Sequence, residues 1–127
     1  MALYHVWFST KRRKWLLQGD VKEAAKELMV TVAGEKGINL MECEMMVDHV
    51  HLLVAADDRP HLSRVMRLLK GSTSRQLFQR FPELRLDAGL NNFWQHRYAA
   101  KVVPEPAAAC VGNYIRTQWE RLEKYER

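Results

Sequence analysis

The sequence has no apolar run near the roughly 18 residues that a membrane-spanning helix needs. It has two cysteines, Cys43 and Cys110, far apart and outside any C-x-x-C pattern. No disulfide framework is therefore expected, and both thiols are expected to be reduced and buried. There is no internal repeat, no low-complexity stretch and no linker composition. A single domain over residues 1–127 is the expectation. The opening residues, Met1-Ala2-Leu3-Tyr4-His5, lack the basic-then-apolar order of a signal peptide, so a cytoplasmic location is expected.

What is there fits a small globular enzyme or binding domain. Of the 127 residues, 47% are hydrophobic and 28% charged, ordinary values that allow one modest core. Twenty Lys and Arg against fifteen Asp and Glu give a net charge of +5 and a pI near 9.4. A basic domain suits nucleic acid, because Lys and Arg displace counterions from phosphates. Many small enzymes are basic too, so charge alone does not decide.

Residues 3–9, LYHVWFS, read as a strand, followed by a basic turn, Thr10 to Lys14. Asp20 and Glu23 resemble a capping box, and Val21, Ala24, Ala25, Leu28 and Val32 follow at helical spacing. Gly34 and Gly37 end that helix or follow it. Residues 38–47 and 49–55 read as two strands with a turn at Asp48. Arg59-Pro60 opens a second helix, with Leu62, Val65, Met66, Leu69, Thr73 and Leu77 inward. Arg64, Arg67, Lys70 and Arg75 fall on the opposite side, and Pro82 stops the helix. Residues 93–103 read as a strand or a bent pair of strands. Pro104 and Pro106 flank the start of a last helix, whose apolar stripe is Ala108, Val111, Ile115 and Leu122. The order β-α-β-β-α-β-α predicts an α+β, ferredoxin-like, mostly antiparallel sheet with helices on one face. Met41, Met45, Met46 and Met66 read as core filler.

Two small patterns carry chemistry. His49-Val50-His51 on a strand places both imidazoles on one face, within reach of one metal ion, while Val50 enters the opposite layer. An isolated H-x-H is short and is by itself more often structural. Tyr114 and Gln118 are i and i+4 on the last helix and share a face at the edge of its apolar stripe. A lone boundary tyrosine usually just packs its ring.

Together these patterns resemble the single-tyrosine transposases of the IS200/IS605 type and their relatives, the REP-associated tyrosine transposases. Asp48-His49-Val50-His51-Leu52-Leu53 is similar to the family's DHVHLL segment, and Tyr114-Ile115-Arg116-Thr117-Gln118 to its Y-I-x-x-Q segment. Leu69-Lys70-Gly71-Ser72-Thr73-Ser74-Arg75 resembles an L-K-G-x-x-S stretch, and Phe93-Trp94 with Tyr98 an F-W-x-x-x-Y strand. Tyr4-His5-Val6 with Thr10-Lys11 and Arg13 resembles the first strand and basic turn. The likeness runs in order along nearly the whole chain. Two departures are Arg97, where glycine is frequent, and Trp15, where proline is usual. The short stretch after Tyr114 fits the insertion-sequence branch better than the longer REP-associated one.

The resemblance implies a DNA transposase that cleaves and rejoins single-stranded DNA through a 5′-phosphotyrosine. Tyr114 would be the nucleophile on the C-terminal helix, with His49, His51 and Gln118 as metal ligands. It implies Mg²⁺, with Mn²⁺ able to substitute; imidazole ligands taken alone also suit Zn²⁺. It implies the hairpin ends of an insertion element as DNA partner. Strand exchange needs two tyrosines and one chain offers one, so a homodimer is expected, with sites that can be shared between subunits. Lys11, Arg12, Arg13, Arg64, Arg67, Lys70 and Arg75 are the candidate DNA contacts. His5, His61 and His96 are weaker site candidates, and Trp7, Phe93 and Trp94 are read as core before base-stacking platforms. Two other readings stay open: a replication- or relaxase-type tyrosine nuclease, and a single-strand-binding module with a degenerate site.

Overall fold

In a computed structural model, residues 1–87, 92–104 and 112–116 are described. Strand β1 (Ala2–Ser9) leads through a short 3-10 turn (Lys11–Arg13) to helix α1 (Gly19–Glu35). Strands β2 (Asn39–Met45) and β3 (His49–Ala56) follow, then helices α2 (Arg59–Arg80) and α3 (Glu83–Asp87) and strand β4 (Ala99–Val103). Residues 112–116 are helical. The sheet order is β2-β3-β1-β4, with every neighbouring pair antiparallel. Each long helix crosses between strands separated by one other, giving two split β-α-β units. This is the expected ferredoxin-like arrangement.

Successive side chains of the central strands point to opposite faces of the sheet. Tyr4, Val6 and Phe8 of β1 and Val50, Leu52, Val54 and Ala56 of β3 are buried against α1 and α2. From α1 come Ala25, Leu28, Met29 and Val32. From α2 comes the whole expected inner face, Leu62, Val65, Met66, Leu69, Thr73 and Leu77, all buried. Each large apolar side chain buried here contributes about 1.5–3 kcal/mol.

Some boundaries differ from the sequence expectation. Asp20 is not a cap: α1 begins at Gly19, and Gln18 in the capping position makes no side-chain bond. The chain is pinned just before, where buried Leu17 donates its N–H to the Val47 carbonyl at 3.0 Å. The helix must then start at once, through a φ of +53° that suits Gly19. Asp20 still lies in the first turn, where its charge favours the helix dipole. The unanticipated cap is Asp58 on α2, whose carboxylate accepts from the His61 N–H at 2.8 Å, with proline in the first turn. Met45, Met46 and Met66 are core, but Met41 is exposed because the β2–β3 register shifts between Leu40 and Glu42.

The strand expected from residue 93 begins only at Ala99. Phe93 and Trp94 instead turn inward onto α2. The Trp94 indole N–H donates to Thr73 Oγ1 at 2.9 Å, and the Phe93 N–H donates to Ser74 Oγ at 3.0 Å. Both aromatics are buried, and a single bridge joins Trp94 to Thr10.

The two long helices share one face of the sheet. Residues 112–116 lie on the other, where Ile115 is buried with Leu53 and Val103 and packs against Leu3. Arg116 pairs with Glu42 of β2. Gly112 rests near the same side chain, where an added Cβ would stand 3.6 Å from Glu42. Gln118, Cys110, Glu105, Pro106, Ala108, Val111 and Leu122 lie outside the described residues. Among the described residues, no helix is long and apolar enough to cross a membrane.

Candidate active site

The face of the sheet away from the long helices carries the odd-numbered side chains of β1 and β3. Register pairs Trp7 with His51 and Ser9 with His49. The strand geometry inferred from the H-x-H pattern therefore holds: His49 and His51 share a face, their ring centroids 5.1 Å apart, while Val50 is wholly buried on the other side. His5 extends the row. Its ring lies 5.2 Å from His51 and 6.3 Å from Tyr114, centroid to centroid, and Trp7 packs 5.0 Å from it. Tyr114 is 41% exposed, so its ring edge meets both the sheet and solvent. Tyr114 and the histidine pair, distant in sequence, thus lie on one surface with His5 between them.

Each histidine of the pair is held through Nδ1. His49 Nδ1 is 2.8 Å from Asp48 Oδ1, and Asp48 Oδ2 accepts from Arg13 Nε at 3.2 Å. His51 Nδ1 is 3.0 Å from His5 Nε2. Burial alone would raise the Asp48 carboxyl; the His49 hydrogen bond and the Arg13 charge outweigh it and hold the group below its ordinary value. Burial, then the charges of His49 and His5, push His51 down to about 4. Burial and Lys101 lower His5 as well. At neutral pH His5 and His51 are therefore uncharged, the form a metal ligand requires.

The basic turn is more ordered than a solvated charge run. Arg12 and Arg13 have φ of +58° and +54°, a region that non-glycine residues rarely adopt. Buried Thr10 imposes it. Its N–H donates to the Asp48 carbonyl at 2.9 Å and its hydroxyl to the Lys14 carbonyl at 2.6 Å, while the Lys11 N–H reaches Phe93. The turn is thereby tied to the residue beside His49, and Arg13 is aimed at Asp48.

Two grooves flank residues 95–98. One, of about 770 Å³, opens on His49 and His51 and is lined by Trp7, Ser9, Arg13, His96, Arg97 and Tyr98 among others. The second, of about 920 Å³, runs along α2 past Arg67, Lys70, Arg75, Arg85, His96 and Arg97. Neither lining includes an acidic residue. Lys70 does not lie on the outer, solvated side of α2 as the helical wheel suggests. Its ammonium donates to the carbonyls of Gln95, His96 and Arg97 at 2.5, 3.1 and 3.2 Å and lies over the Phe8 ring. Burial lowers it to about 8. It fixes the wall between the grooves. Arg64, Arg67 and Arg75 are exposed.

His61 is structural, with Nδ1 accepting from the Asp57 N–H at 2.9 Å. His5, Arg85 and Arg97 are what sequence reasoning underweighted. The period-two pattern of β1 puts His5 and Trp7 on the face opposite Val6, but only the strand register brings His5 to His51.

The family model for IS200-like transposases matches residues 1–118. The chain is 30% identical over 118 residues to the ISDra2 transposase TnpA of Deinococcus radiodurans, covering 93% of this chain and 84% of that one. It is 27% identical over 117 residues to the transposase for insertion sequence element IS200 of Salmonella typhimurium, covering 92% and 76%. A crystal structure described as a candidate transposase from Deinococcus radiodurans superposes with a TM-score of 0.72 at 31% identity, covering 91% of this chain and 89% of that one. A REP-associated tyrosine transposase bound to a REP hairpin shares the fold at a TM-score of 0.63 and 15% identity, covering 91% and 65%. A sheet that sets a histidine pair and a tyrosine on one face, with a family match over nearly its whole length, identifies this chain as a member of the IS200-like transposase family.

Proposed function

We propose that this chain cleaves and rejoins single-stranded DNA through a covalent bond between Tyr114 and a 5′-phosphate, assisted by a divalent ion. The observation that carries the reading is the row of rings from Tyr114 through His5 to His51 and His49 on one face of the sheet. The phenol oxygen of Tyr114 attacks the phosphorus, the bond to the 3′ oxygen breaks, and a 3′-hydroxyl leaves. The phenol proton passes to solvent and the departing oxygen takes one up. The new ester keeps the energy of the old one, so a second 3′-hydroxyl can reverse the step without ATP.

The histidine pair fits a metal. Two imidazoles share a face, and each Nδ1 is engaged, as ligands that bind through Nε2 require. Among the described residues no third His, Cys, Asp or Glu completes a cluster that could hold an ion. Gln118, four residues after Tyr114 in the sequence, is the third ligand we assign. Such a set leaves Mg²⁺ or Mn²⁺ its full charge, which would polarise the scissile phosphate. The acid-free grooves beside residues 95–98 suit the DNA backbone, with Arg67, Arg75, Arg85 and Arg97 at hand. We take the DNA to be the hairpin ends of an insertion element, and the working unit to be a homodimer.

Incubation with short single-stranded oligonucleotides carrying element ends and Mg²⁺, followed by denaturing gels, tests this reading. Wild type should give a covalent adduct and Tyr114→Phe none, with DNA binding kept within a few-fold. A stable adduct in the Phe variant would remove Tyr114 from its role. Mixing Tyr114→Phe with His49→Ala protein then tests sharing. Partial recovery of cleavage means that two subunits build one site; no recovery means that each chain completes its own.

A further inference from the structure

We infer that His5 is a positioning residue for the metal site, holding the Nδ1 proton of His51 so that His51 presents Nε2 as the ligand atom. The inference rests on the metal reading above. Its ground is the contact itself: His5 Nε2 and His51 Nδ1 are 3.0 Å apart, their rings inclined by 31°. Only one proton can occupy such an N···N bond, and its origin decides the chemistry. If His5 supplies it, neutral His51 keeps its own proton on Nε2 and cannot ligate through that atom. If His51 supplies it from Nδ1, Nε2 has its lone pair ready for the ion, and His5 carries its own proton on Nδ1.

The other histidine of the pair is built the same way. His49 Nδ1 meets the Asp48 carboxylate at 2.8 Å, an acceptor that leaves no choice of direction. His5 does for His51 what Asp48 does for His49, with a neutral ring in place of a carboxylate. Packing keeps it in place: the Trp7 ring lies 5.0 Å away on the same strand and the Tyr114 ring stands edge-on at 6.3 Å. Outer partners of this kind typically change metal affinity by about 10–100-fold when removed.

The test is Mn²⁺ binding, followed by the electron paramagnetic resonance signal of the unbound ion, for wild type, His49→Ala, His5→Leu and His5→Gln. Leucine cannot accept a hydrogen bond. Glutamine carries its amide oxygen the same number of bonds from Cα as His5 Nε2, and that oxygen can accept. His5→Leu should weaken Mn²⁺ binding about 10–100-fold with thermal unfolding unchanged, and His5→Gln should bind close to wild type. Wild-type affinity in His5→Leu, where His49→Ala has lost the ion, overturns the positioning role alone. An equal loss in the Leu and Gln variants also overturns it, since acceptance of the proton would then not be what matters. Indistinguishable binding by wild type and His49→Ala overturns the metal reading, and this inference with it.

Discussion

The two faces of the sheet are made by the same strands, one residue out of step. On β3, Val50, Leu52 and Val54 point to the long helices and are wholly buried, while His49, His51 and Leu53 point the other way. On β1, Tyr4, Val6 and Phe8 alternate with His5, Trp7 and Ser9 in the same manner. The helix face is apolar and closely packed, so its contribution is to stability. Among the described residues the other face is covered only by 112–116, and its rings are linked by the His5–His51 hydrogen bond and by edge contacts. Rigidity is generated on one side and used on the other. A histidine whose neighbours along the strand are locked in a core cannot drift from its partner.

The sharpest way to break this comparison is to substitute adjacent residues of β3. His49→Ala should reduce metal-dependent cleavage by about a hundredfold or more, since several kcal/mol of charge stabilisation are lost. Unfolding should move by only about 1 kcal/mol, the net worth of the hydrogen bond to Asp48 that is lost. Gln118→Ala should cost less activity than His49→Ala, an amide oxygen being the weaker ligand. Leu52→Ala should do the reverse, costing about 2–5 kcal/mol of stability by leaving a cavity in the core, beside its β1 register partner Val6. The cleavage rate per folded molecule should hold. Denaturant melts beside single-turnover cleavage separate the two. A stability loss in His49→Ala as large as that in Leu52→Ala would show that the faces do not divide the work.

Much of this division was legible in the sequence. Period-two patterning in LYHVWFS and HVHLLVA, and the apolar stripe of α2, specify which side chains enter the core. Local chemistry was read less well where a distant contact overrides it. Asp20 has the character of a cap but loses that place because Leu17 is anchored to Val47. Phe93 and Trp94 look like strand residues but are drawn inward by Thr73 and Ser74. Lys70 follows its helical wheel only as far as Cβ, after which its long stem carries the ammonium to three carbonyls. His5 could be placed on the correct face, yet its partner is 46 residues away and depends on the β1–β3 register.

The grooves sharpen the comparison at lower amplitude, because they lie where the two faces meet. Replacing Arg67, Arg75 and Arg97 together by Gln should flatten the plot of log affinity against log salt by about two units, at roughly 0.7 per phosphate contact on a single strand. Metal-dependent cleavage at saturating DNA should change little, since none of the three touches His49 or His51 in the contacts described. An unchanged salt slope in equilibrium binding would return these arginines to an ordinary solvated surface.

The smallest expected effect is a pH dependence confined to the open face, measured without metal in the presence of EDTA. Burial and the neighbouring charges of His49 and His5 hold His51 near 4 in the folded chain, against 6.5 ordinarily. Between those values the unfolded chain takes up a proton that the folded chain refuses. Stability therefore falls as pH is lowered from above 6.5 towards 4, and this contribution levels off below both values. Solvent screens the half-exposed ring, so the change is modest. Asp48 does not contribute in the same window, because its carboxyl titrates below its ordinary value of 3.8. Thermal melts at pH 7 and pH 4.5 should show wild type losing more than His51→Gln, which has no proton to gain. Leu52→Ala, on the other face of the same strand, should lose as much between the two pH values as wild type does, from a lower starting point. Parallel losses in wild type and His51→Gln would mean that the ring is less buried in solution than its place between His5 and His49 implies.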